Sequence, residues 1–149
     1  MNDTIHLDMD NAPHRLVTTL IVFGTPRSKK NSKRIFKIGT RTKISPSKAY
    51  ESWAKAAQWE LRSQWMVARG GPAVGAPEQK VWLRMRFYYP TTMFCDQSNA
   101  IQGPEDVLQT VGLLTDDRWV SHHDGTRSFK DKSNPRVEID VLIPVDSDA

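Results

Sequence analysis

The chain has 149 residues, 38% hydrophobic and 26% charged, with 21 Lys and Arg against 17 Asp and Glu for a formal net charge of +4. That length supports one domain with a real core rather than two, and no run approaches the roughly 18 to 20 apolar residues of a membrane helix. The single cysteine, Cys95, excludes an internal disulfide framework and suits a reducing, cytoplasmic setting, and the acidic start MNDTIHLDMD lacks the apolar segment of a secretory leader.

Residues 1–15 carry no period and are expected to trail from the domain as a tail. LVTTLIVFG (16–24) is β-branched, aromatic and closed by Gly24, which predicts a buried strand. KRIFKIG and TRTKI, meeting at Gly39 and Thr40, predict a hairpin with a glycine-assisted turn. Most of the basic charge lies here. No acid occurs between Asp10 and Glu51, whereas Arg27, Lys29, Lys30, Lys33, Arg34, Lys37, Arg41, Lys43 and Lys48 do. A one-signed patch attracts phosphate and makes binding salt-dependent, which points to nucleic acid.

Ser45 and Pro46 form a helix start, a side-chain acceptor followed by a residue with pre-set φ. Tyr50, Trp53, Ala54, Ala57, Leu61, Trp65 and Ala68 then make one apolar stripe. GGPAVGAP (70–77) is a loop. In VWLRMRFYYP, Val81, Leu83, Met85, Phe87 and Tyr89 alternate with Trp82, Arg84, Arg86 and Tyr88, predicting a half-buried strand with a basic, aromatic outer face. SNAIQGPEDVLQTVG reads as a helix capped at Gly112, either kinked at Gly103 and Pro104 or regular only from Pro104. RWVSHHDGTRSF and RVEIDVLIPV predict two further strands. The expected fold is α+β, a mixed sheet of about five to six strands with two main helices on one face, over 16–145 with a short tail at 146–149.

Asp96, Glu105, Asp106, Asp116 and Asp117 crowd into positions 96–117 of a basic chain. On a helix over 98–110, Asn99, Gln102, Gly103 and Asp106 share a face. Asp96 stands at its entrance and the TDD turn past its end. Ten helical residues rise about 15 Å, so that turn must fold back to meet Asp106 and Asp96. Carboxylates brought within about 4 to 6 Å raise one another's pKa unless a cation neutralises them, and oxygen-only donors favour Mg²⁺ or Mn²⁺. Such a metal beside a basic surface is suited to cutting a phosphodiester. The competing reading makes Glu105 and Asp106 favourable charges near a helix start and Asp116 and Asp117 a polar turn.

Asp96, Asn99, Asp106, Leu108, Gly112 and the Asp116–Asp117 pair follow the spacing of the RusA family of Holliday junction resolvases, which this stretch resembles. GTPRSKKNSKR, the basic hairpin and KAYESWAKAA agree more loosely. The resemblance implies a RusA-like fold in a homodimeric, Mg²⁺-dependent endonuclease that nicks opposed strands of a four-way DNA junction, of a type frequent in phages and prophages. It carries metal binding to Asp96 and Asp117, with Asp106 and Asp116 supporting or sharing the ion. Arg27, Lys29, Lys30, Lys33, Arg34, Arg41 and Lys43 are expected to hold DNA. Ser98 stands where the family's best-known form has a second aspartate, and Gln102 where it has a lysine beside the scissile phosphate. A neutral amide offers a hydrogen bond and no charge, and losing one such contact costs about 10²- to 10³-fold in rate. The alternative is therefore a catalytically weakened branched-DNA-binding protein of the same fold; a basic RNA-binding protein is more distant.

Among the remaining residues, neighbouring His122 and His123 on a strand point to opposite faces and cannot serve one metal. Cys95 reads as a small packing residue. Trp82, Tyr88 and Trp119 read as packing before base stacking.

Overall fold

The computed structural model of the protein describes residues 5–7, 13–28, 33–38, 41–46, 48–68 and 79–145, with side chains for 13–28, 48–66 and 79–145. The elements are β1 (Ile5–Leu7), β2 (Pro13–Phe23), β3 (Lys33–Ile38), β4 (Arg41–Pro46), α1 (Lys48–Ala68), β5 (Val81–Tyr89), α2 (Gln97–Thr110), a 3-10 turn (Asp117–Trp119), β6 (Val120–His122), β7 (Arg127–Lys130) and β8 (Arg136–Pro144). Six strands form the main sheet in the order β1, β2, β8, β5, β6, with β7 also paired to β5. β5 runs parallel to β6 and β7 and antiparallel to β8. The sheet is mixed and the fold α+β, as the strand and helix periods predict. β3 and β4 form a separate two-stranded sheet, so the basic hairpin stands apart from the main one.

The alternation read from β5 holds. Val81, Leu83, Met85 and Phe87 join Val137, Ile139, Val141 and Ile143 of β8, Leu20 and Val22 of β2, and the α1 stripe Tyr50, Trp53, Ala57, Leu61 and Trp65 in one buried cluster, which α2 enters through Ala100, Val107 and Leu108. One cluster shared by both helices puts them on the same face of the sheet. Each large apolar side chain buried there contributes about 1.5 to 3 kcal/mol against exposure. α1 also closes the β2 edge: the Gln64 amide accepts from Ile21 N–H at 2.7 Å and donates to Ile21 C=O at 2.6 Å, and Glu60 accepts from Phe23 N–H at 3.0 Å. These side chains satisfy backbone groups that another strand would otherwise take.

On the opposite face the expected basic character is neutralised. Arg84 and Arg86 lie opposite Asp140 and Glu138 of β8, and Asp140, 3% exposed, accepts from Arg84 Nε at 2.8 Å, Arg86 Nη1 at 2.6 Å and Thr19 Oγ1 at 2.7 Å. Burial works to raise the Asp140 pKa, but these hydrogen bonds outweigh it and hold the carboxyl below its ordinary value. Trp82 is buried with its N–H donated to the Asp124 carbonyl, and Tyr88 lies between Arg136 and Phe129. Neither ring is presented for base stacking.

Several expectations are corrected. The stretch 1–15, read as a tail, contains β1 and the start of β2; Ile5 to Leu7 pair with Arg15 to Pro13, because a backbone ladder forms without any side-chain period. Pro46 ends β4 opposite Lys33 rather than opening the helix, a strand-end position where its missing N–H is tolerated, and α1 begins at Lys48. RWVSHHDGTRSF is not one strand: it divides into the 3-10 turn, β6, a turn and β7. Between the two strands the Met85 N–H goes to Thr126 Oγ1 at 3.0 Å, so a side chain replaces the ladder where the strand is interrupted. The Gly39–Thr40 turn, the 70–77 loop and the 146–149 tail lie outside the described residues. Among the described residues, no helix is long and apolar enough to cross a membrane.

Candidate functional site

α2 runs from Gln97 to Thr110 with Pro104 inside it, so the helix does not begin only at Pro104. Gly103 and Pro104 are both buried. A Cβ on Gly103 would stand 3.3 Å from the Arg27 carbonyl and from Tyr50 Cε2, and 3.5 Å from Trp53 Cζ3. Glycine thus lets α2 touch α1 and the first residue of the basic segment together. Gly103→Val is expected to destabilise the protein by about 1 to 3 kcal/mol through overpacking, read as a lower denaturant midpoint. Gly112, with φ of 79°, takes the left-handed position that ends the helix as predicted, and the chain then turns back along α2.

That return brings three of the four predicted aspartates together. The Asp117 N–H is donated to Gln109 Oε1 at 3.2 Å, and Asp116 accepts from Arg118 N–H at 2.9 Å and Nη2 at 3.1 Å. The Arg118 backbone bond first, then its side chain, holds the Asp116 carboxyl below its ordinary value. Asp117 is pushed the other way: partial desolvation, then a hydrogen bond to Asp116 and the charges of Asp116, Glu105 and Asp106, raise it. Asp106 also faces Tyr50 of α1, whose hydroxyl is pushed up to about 12 by burial first and by the Asp106 charge second.

Asp96 is at the opposite end. Its backbone carbonyl accepts from Asn99 and Ala100 at the start of α2, while its exposed carboxylate makes no capping bond and, among the described residues, has a long contact from Ser98 Oγ at 3.5 Å. Ten helical residues place it about 15 Å along the axis from Asp106. Gln102 is exposed on the intervening turn. Beside Asp96 a cavity of about 340 Å³ opens between residues 25–28 and 89–95, with Arg27, Ser28, Tyr89 and Phe94 in its lining. Arg27 is exposed there; Lys29 and Lys30 lie outside the described residues, as do the side chains of Lys33, Arg34, Arg41 and Lys43, whose backbones form the hairpin.

Sequence reasoning missed one pair. Glu105 Oε1 meets His123 Nε2 at 2.5 Å, while His122 lies against Trp82 and His14. The two histidines have different partners, but not as neighbours on one strand: β6 ends at His122 and His123 lies just past it, and no pattern along the chain links positions 105 and 123. The carboxylates whose charges reach Asp117 offer oxygen donors, and the part of its upward shift that comes from them, after desolvation, marks a negative field that a hard divalent cation would relieve. Among the described residues no group of three or more His, Cys, Asp or Glu stands close enough to hold a metal as the side chains lie. The donor chemistry suits Mg²⁺ or Mn²⁺, and coordination requires these carboxylates to draw in.

No family model matches the chain, and no curated protein matches it. Among solved structures, it is similar to a protein of unknown function from Agrobacterium tumefaciens, at 15% identity and a TM-score of 0.43, over 95% of this chain and 81% of that one.

Proposed function

We propose that the protein is a Mg²⁺-dependent endonuclease of the RusA type that resolves four-way DNA junctions as a homodimer, acting in DNA recombination and repair. The observation that carries this reading is the return of the TDD turn onto α2, which leaves Asp117 in the field of Asp106, Asp116 and Glu105 while Gly103 lets the backbone of Arg27 approach the same helix. Asp117 and Asp116 hold the ion, with Asp106 beside them. An ion held there would supply an activated water and neutralise charge on the phosphoryl oxygens. Arg27, Lys29, Lys30, Lys33, Arg34, Arg41 and Lys43 hold the DNA backbone, and Gln102 donates a hydrogen bond to phosphate. Asp96 completes the ligand set only if both ends of α2 reach one ion. A straight helix forbids this within one chain, whereas a two-fold dimer permits it.

The test is a labelled four-way junction and a linear duplex, each with and without Mg²⁺ or Mn²⁺. Paired symmetric nicks on the junction alone, only with metal, are expected; cleavage of both substrates alike, or without metal, would refute the reading. Mixing Asp96→Asn with Asp117→Asn protein should restore part of the nicking if the ion is shared across subunits, and none if each chain builds its own site. A second reading, a branched-DNA-binding protein that cuts poorly, is favoured by Gln102 in place of a charged side chain and by the tie of Asp116 to Arg118. Tight junction binding with no nicking by the unaltered protein would select it.

A further inference from the structure

The chain leaving β5 reads PTTMFC over 90–95, and its turn is tight: the Phe94 N–H is donated to the Thr92 carbonyl at 3.0 Å and the Met93 N–H to Thr91 Oγ1 at 3.2 Å. Apolar side chains are left outside by it, Met93 85% and Phe94 42% exposed. Phe94 is also the outer end of a row of rings. Phe87 stacks on Tyr89 with centroids 6.4 Å apart, and Tyr89 on Phe94 at 5.2 Å, while exposure rises from 0% through 4% to 42% along the row. The row therefore ends in a ring with an open side.

That ring borders the cavity of about 340 Å³ between residues 25–28 and 89–95, at the small end of the roughly 300 to 1,000 Å³ of ligand sites. The 25–28 wall carries the exposed Arg27, whose backbone lies against α2 at Gly103. Thr25 and Ser28 line it too, and hydroxyls donate or accept as a ligand requires. Burial pushes the Tyr89 hydroxyl up to about 12, so it stays protonated at neutral pH. The Cys95 backbone N–H that approaches its oxygen is itself a donor, and no acceptor for the phenolic proton stands among the described residues. An aromatic wall, a cation and an unanswered donor together select a ligand that is flat, anionic at one end and rich in acceptors, which describes a nucleotide.

We propose that the cavity takes one unstacked nucleobase of the DNA, with Phe94 stacked on the base and Arg27 on the adjoining phosphate. The inference rests on the nucleic-acid reading above and not on the metal. Taking a base out of its stack costs least where the stack is already interrupted, and in a four-way junction that is the point of strand exchange. The base is therefore expected from a nucleotide at that point.

The experiment measures junction affinity of the full chain without divalent metal, with melting temperature as the check on folding. Phe94→Ala should weaken binding by about 5- to 150-fold, the size of one base stacked on an aromatic ring. Phe94→Leu keeps apolar bulk against Tyr89 without a π-face; it should lose nearly as much at an unchanged melting temperature, whereas Phe94→Tyr should bind like the unaltered protein. A junction carrying an abasic site, moved one nucleotide at a time through the point of exchange, completes a double-mutant cycle. At one position, losing the base should cost the unaltered protein as much as losing the ring does, and should cost Phe94→Leu nothing further. Where Phe94→Ala does not fold, Phe94→Leu decides. A Phe94→Leu protein that binds like the unaltered one, or abasic losses that add to the variant's own at every position, overturns the base site and leaves the nuclease reading standing. Unaltered protein that binds neither the junction nor a single strand overturns the nucleic-acid reading and the base site with it.

Discussion

Asp117→Asn, which on the proposed reading removes a ligand of the ion, is expected to lower junction nicking by at least about 10²- to 10³-fold, the size of losing one preorganised electrostatic contact at a reacting centre, while junction binding is kept or tightened. The same substitution should raise the stability of metal-free protein. The folded-state pKa of Asp117 lies above its ordinary value, so folding binds this proton more tightly. The resulting cost to stability is fully present above the raised pKa and disappears as pH falls through it toward the unfolded value. Asparagine carries no such cost and can donate to Asp116. Mg²⁺ should therefore raise the melting temperature of the natural chain at neutral pH and have little effect on the variant. A variant that nicks normally, or an unaltered protein whose melting temperature ignores Mg²⁺ and Mn²⁺, would remove Asp117 from the metal site.

The second large effect lies on the far face of the sheet. Asp140→Ala should destabilise the protein by about 3 to 5 kcal/mol, because it leaves two guanidinium groups facing each other without their shared carboxylate. Thr19 loses its acceptor as well. The pH dependence has the opposite sign from that of Asp117. The folded pKa of Asp140 is lowered, so its contribution is complete above the unfolded carboxyl pKa of about 3.9 and is lost as pH falls through the depressed folded value. Urea denaturation of Asp140→Ala at neutral pH reads the effect directly, and a midpoint equal to that of the unaltered protein would show that the network carries no net stability. Arg84 and Arg86 are held by this network, so replacing them should alter stability before it alters DNA affinity.

Much of this architecture was legible from local period. The alternation of Val81 to Tyr89 and of Val137 to Ile143, and the α1 stripe from Tyr50 to Trp65, each encode which side of an element is buried. What period does not encode is pairing. The Ile5–Leu7 strand has too few residues to show an alternation and is defined by its partner. Arg84 and Arg86 read as free positive charge until β8 sets Asp140 and Glu138 opposite them. Pro104 reads as a break, yet α2 continues through it, packed on α1 where Gly103 permits the approach.

The sequence by itself determined that acids and bases are segregated into separate segments, that the acids sit at fixed offsets along one helix and the turn after it, and that a hydrophobic face holds that helix to a sheet. These are consequences of spacing alone. Which acids meet was decided by the tertiary structure. Helical rise is rigid and leaves Asp96 about 15 Å from Asp106, whereas the turn after Gly112 carries Asp117 back to Asp106 and His123 back to Glu105. The path of a turn depends on what the rest of the fold offers it to bind.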